Sequence, residues 1–149
     1  MKAIPTLSNG TTYVSRLEAR WSVVFDCMQL HYTYEPEGWQ HDGKLYLPDF
    51  WVDEWKAYVA IKPRVHDKAS QTALDHDLDW QRELFFAGEE LWCIVGDPVA
   101  GGYRLIVPTV LGGEKTHRDA TEEIPIDLQA LIAAMRSRFG QKHAGKAVA

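Results

Sequence analysis

The chain has 149 residues, a length suited to one domain that buries its own core without disulfides or structural metal. Its composition, 46% hydrophobic and 25% charged, includes no apolar run near the roughly 20 residues that span a bilayer, so a soluble protein with no membrane partner is expected. A net charge of −5 argues against a protein that coats nucleic acid through a uniformly basic surface, but Arg16, Arg20, Arg64, Lys68 and Arg82 can still form a local positive rim.

The first ten residues carry one lysine and neither an apolar core segment nor a small-residue cleavage site, which makes the cytoplasm the expected location. The first clear element is S-R-L-E-A-R-W-S-V-V-F-D-C-M-Q-L. Leu17, Trp21, Val24, Phe25 and Met28 recur at helical steps, and Ser15 with Glu18 fits a capping box. Y-T-Y-E-P then predicts a short strand ended by Pro36. A D-G turn leads into a second strand, L-Y-L-P-D-F-W-V, and W-K-A-Y-V-A-I-K predicts a third, stopped by Pro63. Residues from Lys68 to Ala87 predict a helix with Ala69, Ala73, Leu74, Leu78, Phe85 and Phe86 as apolar positions and Gly88 as its stop. L-W-C-I-V-G-D reads as a buried central strand, and P-V-A-G-G turns the chain into the strand Y-R-L-I-V-P. A polar loop precedes the last helix, D-L-Q-A-L-I-A-A-M-R-S-R-F, with Asp127 as N-cap. The expected architecture is therefore α/β, a central mixed sheet flanked by helices, within a single domain over 1–139. Residues 140–149 read as a mobile basic tail.

Cys27 and Cys93 lie in apolar contexts without metal-ligand spacing and read as small core residues. Trp39, Tyr46, Phe50, Trp51, Trp55 and Tyr58 suit core and hairpin pairing better than a base-stacking platform. His66 and His76 lie on polar stretches and read as solvated.

Hydrolysis of a phosphodiester with divalent metal needs carboxylates that gather Mg²⁺, a cation beside the attacking water, and backbone oxygens to complete the shell. An acid at the end of one strand and an acid-x-lysine pair on its neighbour supply these, because alternate strand residues share a face. Asp49 and Lys62 are placed for this arrangement. Position 60 faces the same way as Lys62 but is an alanine.

S-R-L-E-A-R-W, L-P-D-F-W and V-A-I-K-P, in that order, resemble the small phage and bacterial members of the PD-(D/E)xK nuclease superfamily, over roughly Tyr13 to Gly96. The resemblance implies a restriction-endonuclease-like core in an αβββαβ order, with an extra strand and a C-terminal helix here. It implies a metal-dependent DNA endonuclease using Mg²⁺, with Mn²⁺ as substitute. Asp49 would be the principal metal ligand, Ile61 would offer its carbonyl, Glu18 would bind metal directly or through water, and Lys62 would polarise the attacking water. Arg16, Arg20, Gln81 and Arg82 would contact nucleic acid. Ala60 departs from the pattern, since the family carries an acid there. Three explanations fit: a naturally silent relative kept for binding, an acid moved to Asp53 or Glu54, or a Glu-to-Ala change that disables cutting. Retention of Asp49, Lys62 and Glu18 favours the last. The layout equally admits a noncatalytic nucleic-acid or protein-interaction module, or a nuclease subunit that needs a partner protein, and paired cuts would favour a homodimer.

Overall fold

The computed structural model describes residues 6–8, 10–98, 102–124 and 126–136. In chain order its elements are β1 (Thr6–Ser8), β2 (Thr11–Tyr13), α1 (Arg16–Cys27), β3 (Tyr32–Tyr34), β4 (Trp39–His41), β5 (Lys44–Tyr46), β6 (Phe50–Val52), β7 (Ala57–Lys62), α2 (Lys68–Phe86), β8 (Leu91–Gly96), β9 (Tyr103–Leu111), β10 (Glu114–Asp119) and α3 (Leu128–Arg136). The tail expected to be mobile, the end of the last predicted helix and most of the P-V-A-G-G turn lie outside the described residues. No helix among the described residues is long and apolar enough to cross a membrane.

The chain gathers into two units. The first takes residues 1–30, 97–102 and 126–149 and holds the β1–β2 hairpin, α1 and α3. Ser15 caps α1 by accepting the Glu18 amide at 3.2 Å, and Trp21, Val24 and Phe25 are buried as their spacing requires. Ala19, Ser22 and Val23 are buried as well, so α1 is enclosed around most of its circumference, and it packs against α3. Asp127 accepts the Gln129 amide at 2.9 Å, just before α3 begins.

The second unit takes residues 31–96 and 103–125 and holds a six-stranded mixed sheet in the order β10-β9-β8-β7-β6-β3. Only β7 and β8 run parallel, and α2 is their crossover. β7 is buried from Ala57 to Ile61, the pattern of a central strand covered on both faces. Asp67 and Ser70 form a reciprocal capping box that starts α2. Gly88, at φ +84°, ends it: its amide reaches the Phe85 carbonyl at 3.1 Å, and that of Glu89 reaches Leu84 at 2.9 Å. The buried stripe of α2 is Leu74, Asp77, Trp80, Gln81 and Leu84; Ala69, Ala73 and Phe86, expected on the apolar face, are exposed.

Three strand expectations need correction. L-Y-L-P-D-F-W-V is not one strand: Leu45 and Tyr46 belong to β5, which pairs with β4 across the Asp42–Gly43 turn, and a separate β6 begins at Phe50. Pro48 has no N–H to donate, and the chain leaves one sheet for the other there. The polar segment after Leu111 is β10, an edge strand paired with β9 along its length. The β1–β2 hairpin carried no signal that the strand patterns detect.

Gln81 is 1% exposed, and its amide nitrogen donates to the Leu91 carbonyl at 2.8 Å and the Ile106 carbonyl at 3.1 Å, tying α2 to β8 and β9. Gln81→Ala removes both bonds and opens a cavity, so urea unfolding should show a loss of about 2–4 kcal/mol. A loss below about 0.5 kcal/mol would contradict this anchoring role.

Candidate functional site

Asp49 is held from three directions. Its amide donates to the Val59 carbonyl at 3.0 Å, its carbonyl accepts from Glu35 at 2.7 Å, and its Oδ2 accepts the Ile61 amide at 2.7 Å. The β6–β7 ladder pairs Phe50 with Val59, so its next step sets Asp49 opposite Ala60. The side chain of Asp49 thus takes over the ladder where β6 has ended, and the carboxylate is fixed at the end of β7. Asp49, Ala60, Ile61 and Lys62 are brought together, as the strand periodicity requires.

The same place holds residues that the sequence reading did not single out. Lys62 Nζ lies 2.7 Å from Oδ2 of Asp77, whose side chain is 2% exposed on the sheet-facing side of α2. Tyr46, also buried, lies within electrostatic reach of Asp77, and Cys93 is the register partner of Ala60 on β8. Burial alone would lower the Lys62 pKa, but attraction to Asp77, the contact with it, and the charge of Asp49 outweigh that cost and raise it. Burial first, then the negative charge of Asp77, pushes both the Tyr46 phenol and the Cys93 thiol upward. Tyr46 is therefore a hydrogen-bond donor at neutral pH, and Cys93 is a thiol with no nucleophilic character. A signal for Asp77 existed: it lies on the helical stripe Leu74, Asp77, Gln81, Leu84, where a carboxylate at a core position calls for a partner.

The other expected site residues fall elsewhere. Gln81 is spent on backbone carbonyls inside the core, which corrects its expected contact with nucleic acid. Arg82 is exposed and lies 3.4 Å from Asp79. Glu18, Arg16 and Arg20 belong to the first unit. There Glu18 is buried and accepts the Ser15 hydroxyl at 2.8 Å, Arg16 is exposed, and Arg20 is paired with Asp97 at 2.5 Å. Asp53 accepts the Trp51 indole N–H at 2.8 Å, and Glu54 binds His31, both at the opposite end of the β6–β7 hairpin from Asp49. Neither acid takes the place of position 60. The aromatic residues pair with one another as core expectations required: Tyr46 stacks on Trp80 at 5.1 Å, and Trp51 meets Tyr58 edge-on at 4.8 Å.

Near Lys62 a hard dication would find the oxygen donors of Asp49 and the Ile61 carbonyl. Among the described residues no three His, Cys, Asp or Glu side chains are gathered as a metal cage. The donors that Asp49 and the Ile61 carbonyl offer nevertheless suit Mg²⁺, which keeps several waters and needs only one or two carboxylates. Comparisons with protein families, with curated proteins and with solved structures gave no match.

The Glu54–His31 clip has a defined pH signature. Its hydrogen bond and charge raise the His31 pKa above the ordinary 6.5, and the same bond lowers that of Glu54 below 4.5. The His31 contribution is complete below pH 6.5 and fades as pH rises through the raised value, whereas the Glu54 contribution is complete above pH 4.5 and fades as pH falls through the lowered one. An NMR titration of the His31 ring should show Glu54→Gln returning its midpoint toward 6.5. An unchanged midpoint would mean that the clip does not form.

Proposed function

We propose that the chain is a metal-dependent phosphodiesterase acting on DNA, with Asp49 and Lys62 at its centre. The observation that carries this reading is the juxtaposition at the end of β7: a carboxylate locked onto the Ile61 amide, with an ammonium on the next residue along the strand. That grouping follows from backbone register and from Pro48, and a carboxylate beside an ammonium supports the reading because metal-assisted attack on a phosphate would use both.

In this reading Asp49 and the Ile61 carbonyl hold Mg²⁺ or Mn²⁺. The ion would supply Lewis acidity toward a phosphate oxygen and acidify a bound water. Lys62 is protonated at neutral pH, so it acts as a donor and a positive charge rather than as a base. Its ammonium orients the attacking water and offsets negative charge that develops on the phosphate. Arg64 and Lys68, exposed in and just after the loop that follows β7, are suited to backbone phosphates. Net charge −5 limits such contact to this local rim and predicts a shallow salt dependence, set by a few phosphate contacts.

Linear, branched and single-stranded DNA should be incubated with the chain and with its Ala60→Glu variant, in Mg²⁺, Mn²⁺ or EDTA. Metal-dependent cutting is expected, and in whichever form cuts, Asp49→Asn or Lys62→Ala should slow it by about 10³-fold or more. Absence of cutting by both forms on every substrate would contradict the proposal.

A further inference from the structure

We propose that Asp77 supplies the carboxylate that position 60 lacks, so that Asp49, Asp77 and the Ile61 carbonyl form a Mg²⁺ or Mn²⁺ site in the chain as it stands. The inference rests on the phosphodiesterase reading and deepens it by assigning the second acid.

Ala60 is 1% exposed and belongs to the same buried cluster as Leu74, Leu84 and Cys93, on the sheet face that α2 covers. Leu74 and Leu84 flank Asp77 on the buried stripe of α2, so the helix delivers a carboxylate to the face where the strand offers only a methyl group. An acid on the helix can serve the same point in space as an acid on the strand, because a ligand set is defined by oxygen positions and not by chain order.

The Lys62–Asp77 contact needs a reason beyond stability. A buried ion pair gives little over an apolar pair of similar volume, since desolvation cancels most of the attraction. Oδ2 of Asp77 is buried and lies 2.7 Å from the Lys62 ammonium. A carboxylate offers about four acceptor sites over its two oxygens, so the contact with Nζ does not exhaust the acceptor capacity of Asp77. Asp49, Lys62 and Asp77 all act electrostatically on Cys93, so the three charges share one locality. Two carboxylates against one ammonium leave a net negative charge there, and that favours a dication. Tyr46, on β5, lies in the same buried cluster as Ala60 and within electrostatic reach of Asp77.

The competing role for Asp77 is that of a counterion to Lys62 alone. Mn²⁺ binding, read by loss of the free-ion EPR signal, separates the two without reference to catalysis. The native chain should bind Mn²⁺, and Asp49→Asn and Asp77→Asn should each weaken binding by about tenfold or more. Lys62→Met should bind at least as well as the native chain, because it removes a competing cation. Circular dichroism checks that each variant folds. Should Asp77→Asn not fold, the double variant Lys62→Met with Asp77→Leu removes both buried charges together and should also lose Mn²⁺. Binding by either Asp77 variant at native strength, with Asp49→Asn defective, would reduce Asp77 to a counterion and overturn this inference alone. Failure of the native chain to bind Mn²⁺ would overturn it together with the phosphodiesterase reading.

Discussion

An ammonium 2.7 Å from a carboxylate that is 2% exposed ties the end of β7 to the middle of α2, and the arrangement of the site depends on that contact. Burial penalises each charge, and the partner across the contact offsets that cost. Together they set the rotation of α2 about its axis, since Leu74, Gln81 and Leu84 must then face the sheet with Asp77. Gln81 reinforces the same rotation by reaching the carbonyls of Leu91 and Ile106. The fold and the chemistry of the second unit are thus held by the same face of one helix.

The second constraint is the break at Pro48. An unbroken strand would have carried the ladder past Asp49 with backbone groups alone. Instead the ladder stops, and the Asp49 carboxylate accepts the Ile61 amide. A side chain held by a backbone donor beside a central strand has little freedom, which is the condition that a catalytic carboxylate requires. Lys62, the last residue of β7, keeps 27% of its side chain accessible while its neighbours on the strand are closed off, so the charged end of the strand is the part open to solvent.

Helices were the legible part of this fold. Ser15 with Glu18 marked the start of α1, Gly88 marked the end of α2, and the apolar steps between them are long enough to give a period. Short strands were harder. Glu114 to Asp119 has no apolar alternation because β10 is an exposed edge strand, and its only reason to be extended is the hydrogen-bonding edge of β9, which is a tertiary fact. Of the site, Asp49, Ala60, Ile61 and Lys62 were legible because strand geometry is local and Asp49 lies next to a proline. Asp77 left a signal on the stripe of Leu74, Gln81 and Leu84 that was missed, since its meaning depends on which face of α2 meets the sheet. The exposed Ala69 and Ala73 show that alanine spacing alone gave a poor estimate of that face. Gln81 was assigned to nucleic acid by resemblance, and its burial likewise depends on which face of α2 meets the sheet.

Ala60 looks different once Asp77 is in view. A missing acid on the strand suggests a disabled enzyme only if the strand is the sole source of carboxylates. In the proposed site the second acid comes from α2, and the small residue at 60 would leave room for it. The most direct test is anomalous diffraction from crystals grown with Mn²⁺. The account predicts a single strong peak bridging Asp49 and Asp77, with oxygens of both at about 2.0–2.2 Å and Lys62 beside it. A peak bound by Asp49 without Asp77, or none at the end of β7, would contradict it.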